Sequence, residues 1–147
     1  MPYPDSSSTA ALDAGLRSLL EEAIHVAQNA YAPYSGFRVG AALRLNNGEV
    51  VTGANVENVS FGLTICAERS ALVRAVSHFG PAIRIVAVAV ANLNDSPSPP
   101  CGACRQVLAE FIDPEAPVVF PVTGGVQCMP FSAVLPLAFE MKLKLPS

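Results

Sequence analysis

Two short segments of the sequence carry residue types that suit metal chemistry. Cys101 and Cys104 lie three residues apart directly after Pro99-Pro100, and Cys66 precedes Glu68 by two positions. A Cys-x-x-Cys alone is typical of a redox pair, of half a zinc site, or of two ordinary small residues. The residues that complete the pair decide among these alternatives.

A third cysteine makes a catalytic zinc site the favoured interpretation. Three ligands, Cys66, Cys101 and Cys104, leave one tetrahedral position open for a water, whose pKa zinc lowers to about 7. Glu68 does not share a helix face with Cys66, so it suits a base acting on that water rather than a further ligand. Three thiolates around Zn²⁺ give the centre a net charge of about −1. We expect the helix N-termini and Arg69 to draw electron density away from the thiolates.

Cys128 is the cysteine outside this pattern. We expect it to be a buried strand residue. Because the sequence supplies one ligand set, we expect one zinc ion per chain. As a fourth ligand, Cys128 would instead close the site and make it structural.

Length and composition predict one domain over residues 1–147, with residues 1–10 as a flexible tail. The chain is 51% apolar, which allows a large core and also fits a buried subunit interface. The N-terminus has no basic or apolar signal region, and no apolar run is long enough to span a bilayer. We expect a cytoplasmic protein, where reduced cysteines favour metal binding or catalysis over disulfides.

The charge distribution argues against binding to polyanions. The net charge is −3, and the nine Lys and Arg residues are scattered along the chain. Proteins that bind nucleic acid usually carry a basic patch or stripe. Neither nucleic acid nor a membrane is therefore expected as a partner.

The elements that must position the cysteines alternate along the chain. Apolar residues at helical spacing predict the first helix, and Asn46-Asn47-Gly48 between two apolar runs predicts a hairpin. Both cysteine segments follow a strand or loop and open a helix, so two positive helix ends can face one point. The expected elements are helices over 12–30, 66–80, 101–112 and 132–139 and strands over 38–45, 49–55, 83–91, 118–122 and 126–129.

This order of elements predicts an α/β fold. The strand over 83–91 is apolar on both faces, which is typical of the centre of a sheet. The short connection around Gly124-Gly125 makes the last two strands antiparallel. We expect a three-layer α/β/α sandwich with a mixed five-stranded sheet.

The sequence resembles the small, zinc-dependent, homotetrameric cytidine deaminases. Both cysteine segments match the signature of zinc deaminases. Residues 34–43 (YSGFRVGAAL), 53–58 (GANVEN) and 135–139 (LPLAF) resemble further segments of that family. The resemblance covers nearly everything from residue 12 to 139, and it implies a cytidine deaminase-like fold.

The resemblance also implies roles for individual residues. The three cysteines of the signature bind zinc, and Glu68 shuttles the proton. Asn55 and Glu57 hold a ribose hydroxyl, which both donates and accepts hydrogen bonds. Phe37 covers a face of the pyrimidine, and the backbone of Ala67 meets the base.

Two further aromatic residues belong to the implied substrate site, and two positions depart from the family pattern. Phe61 stands near an aromatic position that reaches a neighbouring subunit's site and is commonly tyrosine, whose hydroxyl Phe61 lacks. Phe139 is the C-terminal aromatic of the site. Pro99 stands where serine is common. The resemblance implies a homotetramer whose sites are completed by neighbouring subunits.

The implied reaction is hydrolytic deamination of cytidine and 2′-deoxycytidine to uridine and 2′-deoxyuridine with release of ammonia, a step of pyrimidine salvage. A deaminase of a related nucleoside or a nucleoside antibiotic is an alternative. A polynucleotide editor is disfavoured by the acidic charge and by Cys66 rather than His as first ligand. A structural zinc module, closed by Cys128, is the non-enzymatic alternative.

Overall fold

The computed structural model describes residues 12–141, so the expected tail over residues 1–10 lies outside the described part of the chain. The element order is the predicted one, with a 3₁₀ turn at Phe61–Leu63 before the second helix. The helices are α1 (Ala14–Ala27), α2 (Ala67–Phe79), α3 (Gly102–Ala109) and α4 (Phe131–Val134). The strands are β1 (Val39–Leu45), β2 (Val50–Ala54), β3 (Ile85–Asn92), β4 (Pro117–Val122) and β5 (Gly125–Pro130).

The five strands form one mixed sheet in the order β2-β1-β3-β4-β5. Only the β3–β4 pair is parallel, and α3 provides the crossover between these two strands. The other neighbours are antiparallel, including β4 and β5. The predicted central strand and the predicted antiparallel final pair are therefore both confirmed.

Two apolar clusters lie on opposite faces of the sheet. On one face, Leu20 and Ala23 of α1 pack with alanines of β1 and β3 such as Ala89. On the other face, Leu72 of α2 and Leu108 of α3 join the larger cluster. Since successive strand residues point to opposite faces, both faces are buried. The three-layer α/β/α sandwich is confirmed.

A glycine in β2 sets how closely α2 approaches the sheet. A Cβ built at Gly53 would lie 2.8 Å from the carbonyl oxygen of Ala67 and would also meet the backbone nitrogen of Ala71. Any side chain at this position would push α2 away from β2. Gly53 therefore keeps the first turn of α2 against the end of β2, where Asn55 follows.

The helices α1 and α3 end three residues before their predicted limits. In both cases, an arginine side chain donates hydrogen bonds to carbonyls just after the observed helix end. After α1, the Arg38 guanidinium donates to the carbonyl of Gln28. After α3, Arg84 donates to the carbonyls of Glu110 and Ile112 at 3.3 and 2.9 Å. Residues 111–113 then pair with the start of β3 instead of continuing the helix.

The final helix is also shorter than predicted, ending at Val134 rather than Phe139. A proline ring sterically disfavours the helical conformation of the residue before it. Leu135, which precedes Pro136, accordingly adopts a φ of −135°. Leu137 then turns through a positive φ of 53°. Within residues 12–141, no helix has the length and apolar character that crossing a membrane requires.

Candidate active site

The three predicted zinc ligands converge at the N-termini of two helices. Cys66 is the N-cap of α2 and Cys101 is the N-cap of α3, with Cys104 in the first turn of α3. All three Sγ atoms lie within 4.8 Å of one another, and those of Cys66 and Cys101 are 3.9 Å apart. Tetrahedral zinc with Zn–S bonds of about 2.3 Å needs sulfurs about 3.8 Å apart.

The strand–loop packing brings the cysteines next to the implied ribose residues. Val56 and Ile65 exchange two backbone hydrogen bonds of 2.9 Å each, which joins the segment after β2 to the segment before α2. Asn55 and Glu57 flank Val56, so they lie beside the approach to Cys66. Two segments that are separate in sequence thus form one side of the site.

The charge around the sulfurs fits a bound dication. A hydrogen bond from the Cys104 thiol and the nearby Arg69 guanidinium lower the pKa of Cys66 to about 5. The same hydrogen bond, together with burial, raises the pKa of Cys104. These crowded sulfurs resist full ionisation by themselves, and a Zn²⁺ ion supplies the charge that makes three thiolates compatible. The donor set and spacing therefore fit zinc.

Arg69 is turned towards the metal ligands. Its Nη2 donates to Cys66 Sγ at 3.3 Å, and this hydrogen bond raises the pKa of the guanidinium. Its buried Nε has no hydrogen-bond partner among the described residues. A cation fixed against a thiolate withdraws charge from the sulfur, as expected from the sequence.

Glu68 is a buried carboxyl in the first turn of α2, with 4% of its surface exposed. Burial raises its pKa, and the Cys66 thiolate acts in the same direction. Hydrogen bonds from its own amide and from the Cys104 side chain oppose this shift. A raised pKa lies closer to neutral pH. This suits a carboxyl that must act first as base and then as acid.

The two implied ribose residues also hold a loop of the site, residues 34–39. The amide of buried Asn55 donates to the carbonyl of Phe37 and accepts from the Val39 N–H, both at 2.8 Å. Glu57 Oε1 accepts from the Tyr34 and Ser35 N–H groups at 3.0 and 3.2 Å. This loop presents Phe37, which is half-buried.

Glu57 keeps capacity for a ligand. Its Oε2 accepts a 2.5 Å hydrogen bond from the Ser35 hydroxyl. This hydrogen bond is the main reason why the pKa of the carboxyl is lowered. A carboxylate has about four acceptor positions, and three are used here. One remains for a hydroxyl donor.

The three other predicted substrate residues are placed differently. Ala67 is buried in the first turn of α2, directly after Cys66. Phe61 is 77% exposed, and its ring meets Tyr34 edge-on with centroids 6.3 Å apart. Phe139 lines a groove of about 650 Å³ with Glu110, beyond the C-terminal end of α3 and so away from the cysteine end of that helix. Within one chain, Phe139 is not brought to the metal ligands.

The expectation that Cys128 is buried is wrong. Cys128 lies in a strand, as predicted, but β5 is the edge of the sheet and the side chain is exposed. An edge strand has a neighbour on one side only, and apolar composition around Cys128 does not reveal this. Cys128 is not a member of the three-sulfur cluster.

Sequence reasoning missed Ser35 and Asn94, which hold the loop that presents Phe37. The Ser35 hydroxyl accepts from the Phe37 N–H at 2.9 Å. Asn94 reaches the same loop from the end of β3. The Ser35-Gly36 pair is a turn signal that points to Ser35, whereas nothing local to Asn94 indicates a contact across 56 residues.

A three-sulfur centre at two helix N-termini, beside a buried carboxyl on an α/β/α sandwich, defines the class of zinc-dependent deaminases. The family model "Cytidine and deoxycytidylate deaminase zinc-binding region" matches residues 15–120. The chain belongs to this family of cytidine and deoxycytidylate deaminases.

Individual relatives agree with this assignment. The cytidine deaminase of Halalkalibacterium halodurans is 48% identical over 122 residues, which cover 82% of this chain and 91% of that protein. The crystal structure of cytidine deaminase from Mycobacterium tuberculosis is similar with a TM-score of 0.77 at 41% identity, covering 88% of this chain and 100% of that chain. The corresponding structure from Burkholderia pseudomallei has a TM-score of 0.75 at 44% identity, covering 84% and 98%.

Proposed function

We propose that the protein catalyses hydrolytic deamination of cytidine and 2′-deoxycytidine to uridine and 2′-deoxyuridine with release of ammonia. The observation that carries the proposal is the buried Glu68 carboxyl beside three converging thiol groups. Cys66, Cys101 and Cys104 would hold one zinc ion per chain. When bound, zinc supplies a Lewis acid that lowers the pKa of water and so provides the nucleophile at neutral pH.

Glu68 performs the proton transfers in this proposal. Its carboxylate accepts a proton from the attacking water and delivers it to ring nitrogen N3, which makes carbon C4 electrophilic. The water oxygen forms a bond to C4. Glu68 then passes the second proton of the water to the amino group, the C4–N bond breaks, and ammonia leaves. One water is consumed, and no oxidant or reductant is needed.

Arg69 tunes the thiolate ligands without touching substrate. Its 3.3 Å hydrogen bond to Cys66 draws electron density from one of three thiolates that would otherwise over-neutralise a dication.

Arg105, in α3, has a structural role instead. It donates to the carbonyls of Pro100 and Val134 at 2.6 and 2.8 Å, which ties the start of α3 to the end of α4.

Substrate recognition is assigned to the loop and strand end beside the cysteines. The spare acceptor position of Glu57 and the amide of Asn55 suit a ribose hydroxyl. Phe37 covers a face of the pyrimidine, and the backbone of Ala67 meets its edge. Such contacts select a nucleoside over the free base.

The proposed function is tested by an ultraviolet assay of the purified protein on cytidine, 2′-deoxycytidine and single-stranded oligonucleotides. Turnover of both nucleosides is expected. The oligonucleotides should stay unmodified, because the net charge is −3 and no basic run is present. Efficient editing of an oligonucleotide, or inactivity on both nucleosides with zinc bound, would overturn the proposal.

Removing the negative charge of Glu57 is expected to impair nucleosides selectively. Glu57→Gln should lower kcat/KM for cytidine by about tenfold to a hundredfold, because a hydroxyl then meets an unmatched group. Cytosine, which has no sugar, should be a poor substrate of the wild type and change little in the variant. Glu49→Gln, an exposed glutamate of the β1–β2 hairpin, is the matched control. Equal wild-type rates on cytosine and cytidine would show that Glu57 does not contact the ribose.

The assembly is proposed to be a homotetramer. Large apolar side chains around the site are exposed in the single chain, including Val59, Phe61 and Leu63 at 65–77%. Contiguous exposed apolar surface marks interfaces. Phe61 and Phe139 would then belong to sites completed by neighbouring subunits.

Sedimentation velocity over a range of protein concentrations is expected to show a tetramer wherever the enzyme is active. Dilution that dissociates the assembly should reduce activity in parallel, because sites shared between subunits come apart. A fully active monomer would contradict shared sites.

A cytoplasmic location and a role in pyrimidine salvage complete the proposal, on the grounds of the reduced-cysteine metal site and the nucleoside substrate.

A further inference from the structure

We infer that Asn94 is a positioning residue of the active site, because its side chain fixes the backbone on both sides of Phe37. The inference rests on the proposed function, in which Phe37 covers the pyrimidine. Asn94 lies two residues after the end of β3, in the segment that leads to Cys101, and far in sequence from the ribose segment and from Phe37.

Asn94 makes a bidentate contact with the loop. Its Nδ2 donates to the carbonyl of Gly36 and its Oδ1 accepts from the Arg38 N–H, each at 3.0 Å. Both a donor and an acceptor are needed in this geometry, and an amide side chain supplies both. The two hydrogen bonds flank Phe37, so they restrain the direction in which its ring is presented.

The other side-chain contacts of Phe37 come from a different side, and the end of β3 adds one backbone hydrogen bond, from the Leu93 N–H to the Arg38 carbonyl at 3.0 Å. Phe37 itself is bound through its N–H by Ser35 Oγ at 2.9 Å and through its carbonyl by Asn55 Nδ2 at 2.8 Å. Ser35 and Asn55 belong to the loop itself and to the end of β2. Asn94 comes from the end of β3, so without it the side-chain contacts hold Phe37 from one side only.

Asn94 is itself held in place by a buried asparagine. Its N–H donates to Oδ1 of Asn92 at 2.9 Å, and Asn92 is fully buried. Asn92 Nδ2 donates to the carbonyl of Ser96 and the hydroxyl of Ser98 at 2.7 and 2.8 Å. The segment fixed in this way leads on to Cys101. Asn94 therefore links the position of Phe37 to the segment that delivers a zinc ligand.

The contact serves geometry more than stability. Asn94 and residues 33–36 are exposed, and Gly36 has a positive φ of 70°. Exposed backbone hydrogen bonds with little apolar burial contribute little to global stability and open readily. Loss of the Asn94 side chain should thus loosen the loop while the fold and the metal site persist.

The first test compares Asn94→Ala with Asn94→Asp and with Asn47→Ala. Asn47 is an exposed asparagine whose Oδ1 accepts from the Glu49 N–H in the β1–β2 hairpin. Asn94→Ala should raise KM for cytidine about threefold to tenfold, with kcat within about twofold and zinc content unchanged. Asn94→Asp keeps the acceptor for Arg38 and should show a smaller rise. Asn47→Ala should match the wild type.

A double-mutant cycle tests whether Asn94 acts through Phe37. In a Phe37→Leu background the pyrimidine has lost its aromatic cover, so adding Asn94→Ala should raise KM no further. An undiminished effect in that background, or a wild-type KM in Asn94→Ala, would overturn the inference.

Hydrogen–deuterium exchange provides a readout that does not depend on activity. In the ligand-free protein, Asn94→Ala should speed exchange at the amides of Phe37 and Arg38, and Asn47→Ala should leave them unchanged. Unchanged exchange in Asn94→Ala would overturn the positioning role. A wild type that is inactive on cytidine would instead refute the proposed function, and the exchange rates would still decide whether Asn94 restrains the loop.

Discussion

Glu68→Gln is expected to lower kcat for cytidine by about 10²–10⁴-fold while one zinc ion per chain remains bound. Glutamine has the shape of glutamate but cannot accept the proton of the attacking water. The substitution removes none of the three sulfur ligands. Because Glu68 is assigned successive proton transfers, the loss should be at the upper end of this range.

Steady-state rates and zinc content of the same preparation check this expectation. Glu21→Gln, which changes an exposed glutamate of α1, is a control for loss of one negative charge. The buried site of Glu68 favours a neutral side chain, so the variant should fold at least as well as the wild type. A zinc-loaded Glu68→Gln enzyme with near-normal kcat would remove Glu68 from the role of proton shuttle.

The sequence was sufficient to predict the metal site because its chemistry is local. A cysteine or cysteine pair at the opening of a helix is visible in a few residues, and the α/β/α order leaves few ways to place two helix N-termini. The observed N-caps at Cys66 and Cys101 match this expectation. The hairpin at Asn46-Asn47-Gly48 was predictable for the same reason, since Gly48 supplies the positive φ of 86° that the turn requires.

Features that depend on distant contacts were not predictable. The end of α3 is decided by Arg84 and the start of β3, which capture residues 110–113. The exposure of Cys128 follows from the edge position of β5, which composition does not encode. Asn94 is a further case, since its partners Gly36 and Arg38 precede it by more than 50 residues.

Asn55 has a structural role in the site besides the one proposed for it in substrate recognition. The family resemblance implies that Asn55 holds a ribose hydroxyl, and this role stays a prediction. In the structure, the Asn55 amide is committed to the backbone of Phe37 and Val39, yet it lies two residues from Glu57 on the same side of the site. A substitution at Asn55 would therefore disturb loop geometry together with recognition. The same holds for Glu57, which accepts three hydrogen bonds from Tyr34 and Ser35, so the comparison of cytidine with cytosine is needed to isolate its contact with the ribose.

Cys104→Ser is expected to abolish zinc binding and activity together, whereas Cys128→Ser should change neither. Cys104 is fully buried among the three sulfurs, while Cys128 is exposed on β5. Serine is a poor zinc ligand at neutral pH, so the centre loses one of three anchors. The rate on cytidine should fall roughly a thousandfold or more, because the Lewis acid contributes several kcal/mol.

Metal analysis, cytidine turnover and thermal unfolding of the two variants distinguish an open catalytic site from a closed structural one. Cys104→Ser should unfold at a lower temperature than the wild type, and added zinc should no longer stabilise it, since metal binding favours the native state. Chelation should lower the unfolding temperature of Cys128→Ser as much as that of the wild type. Loss of zinc from Cys128→Ser would indicate a fourth ligand and a closed site. Full zinc content and activity in Cys104→Ser would remove that cysteine from the ligand set, and with it the geometry on which the proposed deamination depends.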